Sequence, residues 1–329
     1  GGGAIAIWDT GGWRRLETLT APSSPLAVGW SGDGRKVVVA TAPAAGGRAT
    51  LEVFGPPPPP ANATPGSEFV LHQSITTTAP VVSLAVDAEG RGVWCLHDDG
   101  QLCEWALSAL DSLRRFDAGS PVLAVAISRD GGTVVSGGND QSVRVWDPVT
   151  GQQRFQMTGH AGPVLALALA PDDATVVSAS GDLTLRLWDV AGGRALKQLA
   201  ATDEAVYSLS VHPTGRVVAA GGADRAIHLL DILGGGIERS LRGHADFVHA
   251  VDFNRQGTRL LSYGYAGVLK VWNPADGALL HDTVVGRIGN AATWGPATSA
   301  GGGAPVDDRV VVACGDGTVR IVIVPVPAR

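Results

Sequence analysis

Apolar runs of five or six residues, each closed by a short Gly/Asp turn, recur along this chain at a fixed interval. The runs beginning at Val122, Val164, Val206 and Val248 start 42 residues apart. Two further columns keep the same step: Ser136, Ser178, Ala220 and Ser262, and Trp146, Trp188, Leu230 and Trp272. Each unit presents an inner apolar run, a turn, a second run, another turn and a third run. Short strands at such spacing predict an all-β radial or sandwich architecture.

Strand counting then predicts the closure. Inner strands are expected at Leu26–Trp30, Val81–Val86, Val122–Ile127, Val164–Leu169, Val206–Val211, Val248–Phe253 and Gly289–Trp294. Outermost strands are expected at Trp13–Thr20, Phe69–Ile75, Ser112–Phe116, Gln153–Met157, Arg194–Leu199, Ile237–Leu241 and Ala278–Val284. The second set is shifted one unit toward the N-terminus, so the first outer strand and the last inner strand are expected to close one blade together. Such pairing hides the two strand edges that an open array leaves bare. A ring of seven blades follows, spanning residues 1–329 as a single domain. Ala4–Trp8 and Thr318–Val324 compete for one slot in the closing blade, and Thr318–Val324 is expected to fill it. Residues 1–12 then read as peripheral or as the tail of a preceding repeat. With Met157 as the only methionine, the chain reads as a piece of a longer protein.

Two stretches break the period. Residues 55–67, with the run Pro56–Pro60, and residues 296–308, rich in Gly and Ala, are expected to be mobile insertions.

GH at Gly159-His160, SASGD at Ser178–Asp182 and LRLWD at Leu185–Asp189 resemble the WD40 repeat, with SGGND and VRVWD between Ser136 and Asp147 a second match. The resemblance covers about Trp13 to Val324 and implies a seven-bladed WD40 β-propeller. It also implies a buried structural tetrad of His160, Ser178, Asp182 and Trp188. The chemistry of the four side chains agrees, since a carboxylate accepts from imidazole, a hydroxyl bridges and an indole only donates. The other units are degraded. Ala266 stands where the unit of His244, Ser262 and Trp272 needs its Asp; Ser136, Asp140 and Trp146 lack a preceding His; Ala220 and Leu230 accompany Asp224.

Charge narrows the function classes. A net charge of −6 and an isoelectric point near 5.7 offer no field for nucleic acid or anionic lipid, and Arg14-Arg15 and Arg114-Arg115 read as solvated strand residues. No apolar run approaches the roughly 18 residues of a membrane span. Cys95, Cys103 and Cys314 have neither disulfide-framework nor zinc spacing, which fits a reducing compartment. No phosphate-binding loop, metal site or cofactor motif is present, and His97-Asp98-Asp99 reads as a turn. Pairing His160 and Asp182 with Ser178 as a nucleophile is disfavoured, because the same residues hold turns. The sequon Asn62–Thr64 is followed by Pro65.

What remains is surface. In the family, residues flanking the first apolar position of each inner strand point to one rim, the top. That rule places Leu123, Leu165, Tyr207, Phe247 and His249 there, with Asn139 and Tyr265 from the turns between second and third strands. Exposed aromatics in a shallow recess are the residue type that dominates binding energy. The expectation is a non-catalytic protein–protein interaction scaffold, without small-molecule substrate, in a cytoplasmic or cytoskeletal assembly. Family habit adds a cilium, basal body or centriole setting, with cytoskeletal or ciliary partners, and a module of a multi-propeller scaffold. Alternatives are a microtubule- or cilium-associated structural protein and a reader of linear peptides at the top rim.

Overall fold

A computed structural model describes residues 3–9, 14–21, 25–31, 36–43, 48–55, 70–77, 79–86, 92–107, 112–117, 121–285, 289–295, 309–314 and 319–323. All regular structure among them is β-strand. Six four-stranded meanders radiate from a common centre, each running from an inner strand to an outer one. The first blade is Pro25–Trp30, Val37–Thr41, Thr50–Gly55 and Val70–Thr76, and the second is Val81–Val86, Gly92–His97, Gln101–Ala106 and Ser112–Asp117. The third is Val122–Ile127, Val134–Gly138, Val143–Trp146 and Gln153–Met157. The fourth is Val164–Leu169, Thr175–Ser180, Thr184–Asp189 and Arg194–Ala201. The fifth is Val206–Val211, Val217–Gly222, Ala226–Asp231 and Ile237–Arg242, and the sixth is Val248–Phe253, Leu260–Gly264, Val268–Trp272 and Leu279–Val284.

The expectation of seven blades, closed by pairing the N-terminal outer strand with the C-terminal blade, is corrected here: there are six four-stranded blades. Between the sixth and the first lies a sheet of another make, with five strands in the order Arg14–Ala21, Gly3–Asp9, Val319–Ile323, Arg309–Cys314, Gly289–Trp294. Arg14–Ala21 does not meet the C-terminal strand. It pairs antiparallel with Gly3–Asp9, and Gly3–Asp9 pairs in parallel with Val319–Ile323, aligning Ile7 with Ile321. The supposed competitors for one slot therefore stand side by side. The physical reason is locality: the two N-terminal strands are antiparallel partners close in sequence, so they dock as a unit and cover the free edge of Val319–Ile323. Of the two insertions, residues 56–67 and 296–308 lie outside the described residues, and with them the proline run and the sequon.

The core is divided between the sheets. A separate cluster of buried apolar side chains fills each space between neighbours, such as Val177, Leu187, Val206 and Leu230 between the fourth and fifth blades. Val28 and Phe54 pack on Val311 between the first blade and the closing sheet. The second and third strands of the blades are sandwiched on both faces, which explains a mean hydropathy of +0.15 with only 17 % charged residues.

Polar bonds reinforce the turn of the ring next to the closing sheet. Ser208 and Ser210 of the fifth blade accept from the N–H groups of Val251 and Phe253 in the sixth. Asp252 then accepts from the Thr293 hydroxyl at 2.7 Å and the Trp294 N–H at 2.9 Å, while the Trp294 indole donates to the Asp252 carbonyl. Burial raises the pKa of this carboxyl, with the bonds from Trp294, Thr293 and Ser210 pulling the other way.

Candidate functional site: an aromatic row at the mouth of the ring

Two kinds of loop are stitched together on one face. The turn between second and third strands donates a backbone N–H to the carbonyl just before the inner strand: Asp98 to Pro80, Asn139 to Pro121, Gly181 to Pro163, Ala223 to Ala205 and Tyr265 to Phe247, at 2.8–2.9 Å. Neighbouring loops are thus held at hydrogen-bond distance, and side chains from both share one surface.

In the fourth blade the stitching is backed by buried side chains. Asp182 accepts from His160 Nδ1 at 2.9 Å, and the other ring nitrogen lies 2.7 Å from Ser178 Oγ. Trp188 Nε1 donates to the same Ser178 oxygen at 2.7 Å. A carboxylate only accepts, so Nδ1 carries the imidazole proton and Ser178 donates to Nε2, giving one ordered chain from indole to carboxylate. Burial depresses the His160 pKa, and Asp182 only partly offsets this, so the ring is neutral in keeping with that chain. Burial would raise the Asp182 carboxyl, but bonds from Ala161 N–H, Thr184 and His160 outweigh it and hold the group well below the usual carboxylate range. Every polar group of the set is engaged within the blade. Ser178, wholly buried, has no approach for a substrate.

The degraded units keep parts of this chain. In the sixth blade His244 Nε2 lies 2.7 Å from Ser262 Oγ, which also accepts from Trp272 at 2.8 Å, with no carboxylate behind the ring. Burial, with a smaller contribution from Lys270, pushes the His244 pKa down to about 4. In the third, Trp146 donates to Ser136 and Asp140 is met by Arg144 instead of a His. In the fifth, His228 lies 2.7 Å from Asp224. This last partner escaped the sequence reading, although a base four residues after the turn Asp repeats the spacing of Asp140 and Arg144.

The inner strands share a second device. Pairing skips one residue near the start of every one of them, between Val81 and Ser83, Val122 and Ala124, Val164 and Ala166, Val206 and Ser208, and Val248 and Ala250 among others. A bulge leaves its extra residue out of the ladder and re-aims its side chain. The skipped residues include Val82, Leu123, Leu165, Tyr207 and His249. Leu26, Val82, Leu123, Leu165 and Tyr207 line a central cavity of about 270 Å³.

At the mouth, four rings form a continuous row. Tyr207 stacks on His249 with centroids 5.5 Å apart and planes 10° from parallel. Its other neighbour is Phe247, edge-on at 6.4 Å, and His249 meets Tyr265 at 5.5 Å. Phe247, Tyr265 and Tyr207 are 42 %, 41 % and 36 % exposed, far above the buried core. Burial lowers the His249 pKa against the pull of Asp246, so a neutral ring joins the stack. Leu123 is exposed and Leu165 half-buried, both on the cavity side of the row. Asn139 is exposed on the third blade, two blades round the ring from Tyr207. Among the described residues, no group of three or more His, Cys, Asp or Glu could hold a metal ion.

Stitched four-stranded blades around a central cavity define a β-propeller. The family model described as WD domain, G-beta repeat matches residues 110–147, 151–189, 193–231 and 235–273, each match holding the outer strand of one blade and the first three strands of the next, from the third blade to the sixth. The chain carries four WD40 repeats within a β-propeller. A comparison with curated proteins gives no match. WD40 propellers are in general protein-interaction modules without enzymatic activity.

Proposed function

We propose that this chain is a non-catalytic platform that holds partner proteins on the face carrying Tyr207, Phe247, His249 and Tyr265. The observation that carries the reading is the aromatic row itself. A soluble fold gains by burying such rings, and here three of the four are more than one-third exposed on a rigid frame, close to the central cavity. Rigid aromatics lose little entropy on binding and exclude water well, which makes them effective anchors. His160 and Asp182 of the fourth blade are committed to holding turns. A cytoplasmic setting is part of the same proposal, supported by three buried cysteines that form no disulfide among the described residues.

The triple change Phe247→Ala, His249→Ala, Tyr265→Ala tests it. All three side chains stand at the surface or half-buried, so the melting temperature is expected to stay close to that of the parent. Captured from native extract, the variant is expected to lose a discrete set of proteins that the parent retains. An identical set from a folded variant removes the row from the binding surface.

A further inference from the structure

We infer that the aromatic row receives a basic, extended segment of a partner protein; this rests on the interaction reading above and specifies the chemistry of what binds. The first observation is the charge beside the row. Asp203 and Glu204 lie in the loop that leads to Tyr207, and Asp246 precedes Phe247 and acts electrostatically on His249. None of these three makes an ion pair among the described residues. The described turns between second and third strands on the same face add Asp98, Asp99, Asp140, Asp182 and Asp224 against Arg48 and Arg225, so acids outnumber cations there.

The second observation is spacing. Successive rings stand 5.5, 5.5 and 6.4 Å apart. Side chains on one side of an extended strand recur every two residues, about 6.6 Å, so alternate residues of such a strand fall on successive rings. A Lys or Arg laid on the face of Tyr207, Tyr265 or Phe247 is attracted by the ring quadrupole. The carboxylates beside the row supply the longer-range pull that orients the segment on approach. An acidic segment or a phosphate backbone would meet the same field as repulsion.

The experiment is a selection of phage-displayed random dodecapeptides on the complete 329-residue chain, with survivors sorted by whether binding is lost on the Phe247→Ala, His249→Ala, Tyr265→Ala variant. The expected survivors that depend on the row are enriched in Lys and Arg. A selected peptide is expected to lose about tenfold or more in affinity on Tyr207→Ala. It is expected to lose a few-fold on the pair Asp203→Asn, Glu204→Gln, a difference that shrinks at ~0.5 M salt. Row-dependent peptides that are neutral or acidic would overturn the basic-segment inference while leaving the interaction reading intact. Basic peptides indifferent to Tyr207→Ala would also overturn it, since charge alone would then explain binding. A selection with no row-dependent peptide, together with an unchanged partner set for the triple variant, would overturn both.

Discussion

Replacing Trp188 by Ala is expected to lower the stability of the chain by about 3–5 kcal/mol, the range for truncating a large buried aromatic. Trp188 is wholly buried and packs with Val135, Val145, Val164 and Val176 in the space between the third and fourth blades. Its removal opens a cavity between two sheets. It also deprives Ser178 Oγ of the indole N–H, leaving the ordered chain through His160 to Asp182 without its donor end. The fifth blade shows what a repaired site needs: Leu230 and Ala220 replace Trp and Ser together and both are fully buried, while Asp224 is met by His228 instead. Urea denaturation of the two proteins checks this. Phe247→Ala in the same assay is expected to cost little, because its ring is 42 % exposed. A loss under about 1 kcal/mol for Trp188→Ala would mean that the chain of hydrogen bonds and its packing do not carry the blade.

The second large effect concerns Glu52, on the third strand of the first blade. The residue is 1 % exposed, and its Oε2 has no hydrogen-bond partner among the described residues. Burial pushes its pKa up to about 7, with a hydrogen bond from Thr50 pulling the other way. For an acid whose folded pKa is raised, the stabilising contribution is complete below the unfolded value of 4.5 and disappears as pH rises through 7. Burying the ionised form then costs up to about 3 kcal/mol. Glu52→Gln keeps the shape and removes the charge, so it is expected to stabilise the chain at pH ~8.5 by about 2–3 kcal/mol more than at pH ~5. The comparison must be between the two proteins at each pH, because His244 acts in the opposite sense. Its pKa is depressed from 6.5 to about 4, so its contribution is complete above 6.5 and is lost as pH falls through 4. Denaturation midpoints at the two pH values decide the matter, and an equal gain at both would show that Glu52 does not hold a proton in the folded chain.

Glu52 also shows where the sequence was readable. In the third strand its place corresponds to Arg144, His228 and Lys270, each of which meets an acid: Asp140, Asp224 or Asp282. A Glu in a column that is basic in the third to sixth blades was visible once the repeat was aligned, but its burial was not. The six regular blades were legible for the same reason, since each repeats an alternation of runs and turns that only local pairing explains. The closing sheet was not. Gly3–Asp9 and Val319–Ile323 have similar patterns, and a parallel pair between strands so distant in sequence leaves no local signature. The bulges were hidden too, because a run such as VLAVAI looks continuous whether or not Leu123 leaves the ladder. Their consequence, the cavity ring, could have been found only from the 42-residue spacing of Leu123, Leu165 and Tyr207. The rim rule did place the aromatics on one face, yet Tyr207 stacking on His249 depends on two bulges in register, which no single strand reveals.

The central claim is that partners sit on the aromatic face. It is tested most directly by placing a photo-crosslinking phenylalanine analogue at position 247 in one protein and at position 149 in another. Val149 is 72 % exposed in a turn between third and outer strands, on the opposite face, so both probes are accessible. Irradiated in native extract, the probe at 247 is expected to give discrete covalent adducts and the probe at 149 none. Adducts at 149 with none at 247 would contradict the account and move the interaction surface to the other side of the ring.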